Sequence, residues 1–267
     1  MFPKALFIWC FFLSVAFLRM DAPVASQIRE SNSNARAFTD LTFEIAVAAE
    51  TLVPLQPVPL VLKQSNRTNE PVLGYDSVTF SSPIYFYVKK AGTNNWKQLE
   101  QLTALLKLVG HRNSEVLPGS NYESRQWLTL DLATYFPIPG AYELRARLYN
   151  EDGSQFIESN VVSIAIREPA GPDRAAYNFI RNSTFQDYLF SGAEFSKVKN
   201  TLERLTTLYP NSPYARNASF VLGENYFYGR NYPQALVNLL RLENDNDFIH
   251  AEKVRRYLAE IRRAQAP

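Results

Sequence analysis

Glu168-Pro169-Ala170-Gly171-Pro172-Asp173 is the stretch on which the fold turns. Its two prolines fix φ and remove backbone donors, so neither a ladder strand nor a helix interior can run through it. Asp173 has the side chain of a helix cap. Immediately upstream, Tyr142, Leu144, Ala146 and Leu148 alternate with Glu143, Arg145 and Arg147, and Val162, Ile164 and Ile166 repeat the period of two. Downstream the apolar spacing becomes three and four: Val198, Leu202, Leu205 and Leu208, then Leu236, Leu239, Leu240 and Leu242, then Val254, Tyr257, Leu258 and Ile261. A period of two belongs to strands with one wet and one buried face, and a period near 3.6 to amphipathic helices. The chain therefore reads as β followed by α, with residues 169–172 as linker.

The alternation extends back to Phe38, through Leu41-Phe43-Ile45-Val47, Val58-Leu60-Leu62, Ile84-Phe86-Val88 and Leu128-Leu130-Leu132. Turn formers separate the runs at Gly92–Asn95, Pro118–Asn121, Pro139-Gly140 and Glu151–Ser154. No helical segment intervenes, so residues 38–168 are expected to be six or seven antiparallel strands in a sandwich of two sheets. Few contacts are expected to cross the linker.

The helical part, residues 173–267, repeats internally. Phe195, Val198, Leu202 and Leu205 recur as Tyr232, Ala235, Leu239 and Leu242, an offset of 37 throughout. Each of these helices is preceded by another, which makes the unit a helical hairpin. Gly223 and Ala235 are small enough to let the two helices of one hairpin approach closely. The basic helix from Glu252 to Arg263 is expected as a solvated cap.

The first 26 residues read as a signal peptide: Lys4 supplies the charge, Ala5 to Leu18 the apolar region, and Val24-Ala25-Ser26 the small residues before cleavage. The apolar run is shorter than the roughly 20 residues of a spanning helix, so no membrane span is expected after cleavage. Residues 27–37 are polar and read as a flexible lead-in. Cys10, the single cysteine, falls in the signal, which leaves the mature chain cysteine-free. Disulfide and thiol chemistry are excluded on this reading.

Catalytic chemistry finds little support. Net charge is +2 with Lys and Arg mixed among Asp and Glu, so no basic face for nucleic acid is expected. His111 and His250 are the two histidines, too few and too far apart for a zinc site, and no Gly-x-Ser-x-Gly elbow accompanies them. Asp76, Asp131, Glu143 and Glu158 read as wet strand faces or turns rather than paired glycosidase carboxylates. The chain is expected not to be an enzyme and to hold no cofactor or metal. Asn66, Asn182 and Asn217 stand in Asn-x-Ser/Thr triplets, as chance allows in an Asn-rich chain.

Val116–Ser120, Leu130-Asp131-Leu132, Pro139-Gly140-Ala141-Tyr142-Glu143-Leu144-Arg145-Ala146 and Ser159–Val162 together resemble the immunoglobulin-like domains of bacterial extracytoplasmic proteins. The resemblance covers about half of the chain and implies that Tyr142 packs as a tyrosine corner; the paired cysteines of antibody-type domains are missing. Leu222-Gly223-x-x-Tyr226 and Ala235-x-x-x-Leu239 resemble the tetratricopeptide pattern, as does the link Tyr209–Ala215. Ser219 and Asp247 depart from it, leaving two and a half degenerate repeats. This second resemblance implies a partner-binding groove lined by Asn217, Phe220, Glu224, Phe227 and Tyr228. Tyr85 and Tyr87, out of phase with Ile84, Phe86 and Val88, form with Trp96 an alternative aromatic face of the sort that stacks sugars. The expected function is thus an exported scaffold or protein-interaction protein of the cell envelope, periplasmic, cell-surface or secreted, whose partner is another envelope protein. The alternative is a carbohydrate- or cell-wall-binding module.

Overall fold

The computed structural model describes residues 37–49, 51–75, 82–99, 113–128, 136–181 and 194–265. The segment read as a signal peptide and the lead-in up to residue 36, and with them Asp76, His111, Leu130-Asp131-Leu132 and Asn182, lie outside the described residues. β strands come first and helices last, as the change of period requires.

β1 (Leu41–Val47), β3 (Val58–Asn66) and β8 (Asn121–Leu128) form an antiparallel sheet in the order β1-β3-β8. A second sheet runs β2 (Thr51–Leu52), β11 (Val162–Ile166), β9 (Gly140–Tyr149), β5 (Ile84–Lys90), β6 (Lys97–Gln98), with β10 (Phe156–Glu158) also beside β9. β4 (Val72–Tyr75) pairs with β7 (Asn113–Val116). The register of β9 explains its alternation: Leu144, Ala146 and Leu148 face Val88, Phe86 and Ile84 of β5 on the buried side, and Glu143, Arg145 and Arg147 stay on the outer side. Phe43, Ile45, Leu60 and Leu62 from the first sheet join Phe86, Leu144 and Ile164 from the second in one apolar core. The pieces are shorter and more numerous than the six or seven strands expected. One pairing is also parallel, Ala165 and Ile166 with Thr51 and Leu52. The two-residue β2 lies along the end of β11 because the chain there is dropping into the loop that follows.

Tyr142 is buried, and its hydroxyl donates to the Ile138 carbonyl at 2.6 Å, four residues upstream. At the β1 edge, the Asn160 side chain accepts from the Ile45 amide at 2.9 Å and donates to its carbonyl at 3.0 Å. It thus supplies the two bonds a neighbouring strand would make and blunts that edge.

Among the described residues five α-helices follow: α1 (Gly171–Ile180), α2 (Phe195–Leu208), α3 (Pro213–Tyr228), α4 (Tyr232–Leu239) and α5 (Ala251–Ala264). α1 opens three residues earlier than a cap at Asp173 would set it, on Ala170, and Asp173 in its first turn instead binds Arg167. Ser212 Oγ accepts from the Ala215 amide at 3.1 Å and caps α3; Asn231 caps α4 in the same way. α2 and α4 begin 37 residues apart, and the equivalent pairs Val198/Ala235, Leu202/Leu239 and Leu205/Leu242 are all buried. At Gly223 an added Cβ would stand 2.5 Å from Leu239 Cδ2, so α3 and α4 meet at a distance only glycine permits.

From Ala35 to Pro267 the chain is one unit. Val53 and Leu55, from the loop between β2 and β3, are buried in the helical core beside Tyr214, Phe220 and Leu222. The Tyr214 hydroxyl donates to the Pro54 carbonyl at 2.7 Å. The Val53–Leu55 loop thus carries contacts from the β part into the helical part. The signal for them is a short apolar run, Val53-Pro54-Leu55, in a loop position where polar residues are the rule.

Ala235 is fully buried against α3, whereas Gln234 is exposed. Ala235→Leu should overpack the hairpin and cost about 1–3 kcal/mol, and Gln234→Leu should stay within about 0.5 kcal/mol. Urea midpoints of the two variants in the full chain measure the difference.

Candidate functional site

The five residues of the tetratricopeptide-like groove all lie on α3, but on two sides of it. Asn217 and Phe220 are buried. Phe220 sits in an aromatic box made by Trp127 of β8 at 5.3 Å, Phe248 at 5.5 Å and the His250 ring stacked at 4.6 Å. Glu224, Phe227 and Tyr228 face α5. There Phe227 stacks on Tyr257 at 4.3 Å, and Glu224 accepts from the Tyr257 hydroxyl at 2.8 Å and pairs with Lys253. The Tyr228 hydroxyl lies 3.0 Å from that of Tyr257. Only Tyr228, at 66% exposure, meets solvent broadly. The reason is that α5 carries an apolar stripe of Val254, Tyr257, Leu258 and Ile261, and this stripe packs on α3 and α4.

The three aromatic residues of the β part do share the outer side of the second sheet, and they are only half-buried. Their surroundings differ. Arg145 lies over Trp96 at 4.4 Å and over Tyr87 at 5.6 Å; Arg147 lies over Tyr87 at 5.0 Å and over Phe156 at 4.7 Å. Both guanidiniums are held by Glu158, at 2.9 and 2.7 Å. The result is a ladder of rings and cations in which Tyr87 and Trp96 already have planar partners. Tyr85 is placed otherwise, edge-on to Tyr149 at 5.2 Å. Glu143 is likewise engaged, by Lys89 at 2.9 Å. Glu143 and Glu158 are therefore ion-paired supports of the sheet surface.

A third place was not visible in the sequence. The outer side of the first sheet carries the cross-strand row Ala46, Val61, Arg125, and beyond it the row that ends in Trp127. Trp127 occupies a position whose neighbours Glu123 and Arg125 are wet, and that mismatch is the one available signal. The segment Asn246–Ile249 rises beside these rows. Arg216 of α3 grips Asp245 through Nε and Nη2 and lies over the Phe248 ring at 5.1 Å, so the segment is braced from behind. Between sheet and segment lies a cleft of about 840 Å³ lined by Ala49, Val61, Arg125, Asn246, Asp247 and Ile249.

His250, next in sequence to the cleft residue Ile249, closes the aromatic box. Burial, assisted by the Lys253 ammonium, pushes its pKa down from the ordinary 6.5 to about 4. Among the described residues no cluster of His, Cys, Asp and Glu could hold a metal ion, and no helix is long and apolar enough to cross a membrane. Asn66 and Asn217, two of the three triplet asparagines, are buried, Asn66 with its amide bonded to the Glu70 and Val116 carbonyls.

No protein-family model and no curated protein matches the sequence. Among solved structures, a β-glucosidase of Erythrobacter marinus is similar at 8% identity and a TM-score of 0.26, over 47% of this chain and 15% of that one. The sporulation control protein Spo0M of Bacillus subtilis is similar at 13% identity and a TM-score of 0.29, over 54% of this chain and 55% of that one. A GH3 β-glucosidase of Bifidobacterium adolescentis follows at 15% identity and 0.24, over 46% and 17%. The chain thus spans from about a seventh to just over half the length of these proteins, and likenesses so slight carry no functional argument.

The buried His250 makes stability depend on pH with a definite sign. Above about pH 6.5 the ring is neutral folded and unfolded. Between about 6.5 and 4 only the unfolded chain takes up the proton, so stability falls with pH, and below about 4 the loss levels off. The loss should be on the order of 2 kcal/mol after screening at the ring's open edge. His250→Phe should lack this part. Urea midpoints at pH 7 and pH 4.5 will converge for the two proteins if His250 is responsible, and run parallel if it is not.

Proposed function

We propose that the chain is an exported, non-catalytic interaction or scaffold protein of the bacterial cell envelope, built from an immunoglobulin-like sandwich and tetratricopeptide-like hairpins. Several features support the architecture. Residues of two sheets share one core, Tyr142 bonds back to the Ile138 carbonyl as a tyrosine corner does, and α2 and α4 carry equivalent buried residues at a constant offset of 37. The signal-like segment up to Ser26 supports export.

The observation that carries the functional reading is the cleft between the first sheet and the Asn246–Ile249 segment. Its two walls belong to the two parts of the chain and are joined where Trp127 of β8 packs on Phe220 and Phe248, while the Arg216–Asp245 pair braces the helical wall. Its surface combines the apolar Ala49, Val61 and Ile249 with the polar Arg125, Asn246 and Asp247. That mixture, open along one side, suits an extended segment of another envelope protein better than a small reactant. The docking place thereby moves from the α3 face, where α5 already lies, to the junction. The catalytic alternative lacks a nucleophile, a base or an unpaired carboxylate set at any of the places described above.

A photo-reactive amino acid at Val61, with one at exposed Thr93 as control, tests both export and docking in living cells. The expected result is a protein beginning close to Gln27 in the envelope fraction, with a discrete adduct from Val61 and none from Thr93. Ala49→Trp, which fills the cleft, should abolish that adduct. An intact Met1 end in the cytoplasm defeats the export reading. Equal adducts at both positions, or an adduct indifferent to Ala49→Trp, defeat the docking reading.

A further inference from the structure

We infer that the concavity beside Tyr85 and Tyr149 is a binding site for a neutral saccharide. It lies on the second sheet and involves no residue of the junction cleft, so it stands or falls independently of the docking reading.

The concavity has a volume of about 400 Å³ and is lined by Tyr85, Tyr87, Tyr149, Gln98, Asn150 and Asp152 among others. That lies within the range of about 300–1,000 Å³ usual for small-molecule sites. Its walls are set by the register. Tyr85 and Tyr87 stand on the outer side of β5 opposite Arg147 and Arg145 of β9, and the Tyr149 amide donates to the Pro83 carbonyl at 2.9 Å, bringing the end of β9 against the start of β5. Tyr85 and Tyr149 meet at 81°, which gives the concavity two aromatic planes at nearly a right angle. One plane can take the apolar face of a pyranose while the other borders its edge. The Tyr149 backbone is fixed from below, where the Tyr75 hydroxyl donates to its carbonyl at 2.8 Å.

The rim is the loop after β9, and it is pre-organised. Asn150 Oδ1 accepts from the Gln155 amide at 3.0 Å, Asn150 Nδ2 donates to Ser154 Oγ at 3.1 Å, and Asp152 Oδ1 accepts from the Ser154 amide at 2.8 Å. Gly153 takes φ +73°, a left-handed conformation that favours glycine. A loop already held in shape spends little binding free energy on ordering.

Charge selects the ligand class. Arg145 and Arg147, the cations nearest the concavity, are both engaged by Glu158, and the ionisable carboxyls on the rim are Glu151 and Asp152. An anionic ligand would meet these carboxylates without an unengaged guanidinium to offset them. A neutral polyol instead donates hydroxyls to the carboxylates and accepts from the Gln98 and Asn150 amides. Trp96 takes no part, since it lies under Arg145 and Lys89 farther along the sheet.

A printed array of neutral and acidic oligosaccharides, probed with the full chain and followed by calorimetric titration of each hit, is the test. Binding should be confined to neutral glycans. Tyr85→Ala and Asp152→Asn should each weaken it by about tenfold or more, and Trp96→Ala by less than about twofold. Asp152 is on an exposed loop, so its variant separates lost recognition from lost folding. The inference is overturned by an array with no hit, by preference for acidic glycans, or by hits that Asp152→Asn and Tyr85→Ala leave unchanged.

Discussion

The structure depends on a loop of the β part buried in the core of the helical part. Val53 and Leu55 are packed among helix residues, and Leu55 adopts φ +64°, which a non-glycine residue avoids. Such a conformation costs on the order of 1–2 kcal/mol, whereas burying a leucine side chain contributes about 1.5–3 kcal/mol. Burial wins, and the buried bond from Tyr214 to the Pro54 carbonyl adds to it. Burial also pushes the Tyr214 pKa up, so its hydroxyl stays protonated and able to donate. The helices thus lack part of their own core unless the β part supplies it. This joint, reinforced by Trp127 in the Phe220 box, fixes the Asn246–Ile249 wall against the first sheet and so shapes the cleft.

What the sequence makes legible is what has a period. β9 and β5 are readable because Leu144, Ala146 and Leu148 alternate with charged residues, and α2 and α4 because their buried residues recur at a fixed offset. The close approach at Gly223 is readable too, since glycine in the middle of a helix is costly unless something presses on it. What escapes is tertiary. The parallel β2–β11 pairing involves two residues and has no period at all. The destination of Val53 and Leu55 is not local, and neither is the partner of Trp127. The groove residues on α3 are legible as a set, but whether that face is open depends on where α5 packs, which is not local. Tyr85 and Tyr87 are legible as outward-facing rings. Only the register reveals that cations flank Tyr87 and that Tyr149 is the companion of Tyr85.

Fusing a sheet to hairpins gives a small protein two rigid surfaces of different character. The junction cleft mixes apolar and polar groups along an open edge, as extended polypeptide requires, while the concavity on the second sheet pairs aromatic planes with carboxyl and amide groups, as a sugar requires. On the proposed reading, a scaffold that holds a protein on one face and a saccharide on the other works through surface shape alone. It needs walls that do not move relative to one another.

Rigidity of the joint is the central claim, and equilibrium unfolding in urea tests it most directly. Far-UV circular dichroism follows the helices, and tryptophan fluorescence of a chain starting at Gln27 comes from Trp96 on the second sheet and Trp127 at the joint, and so follows the β part and its joint. If the Val53–Leu55 loop completes the helical core, the two signals give one coincident transition, and Leu55→Ala shifts both to lower urea together. Two separate transitions in the unaltered protein, or a Leu55→Ala shift confined to the fluorescence signal, would show that the helical part folds without the loop.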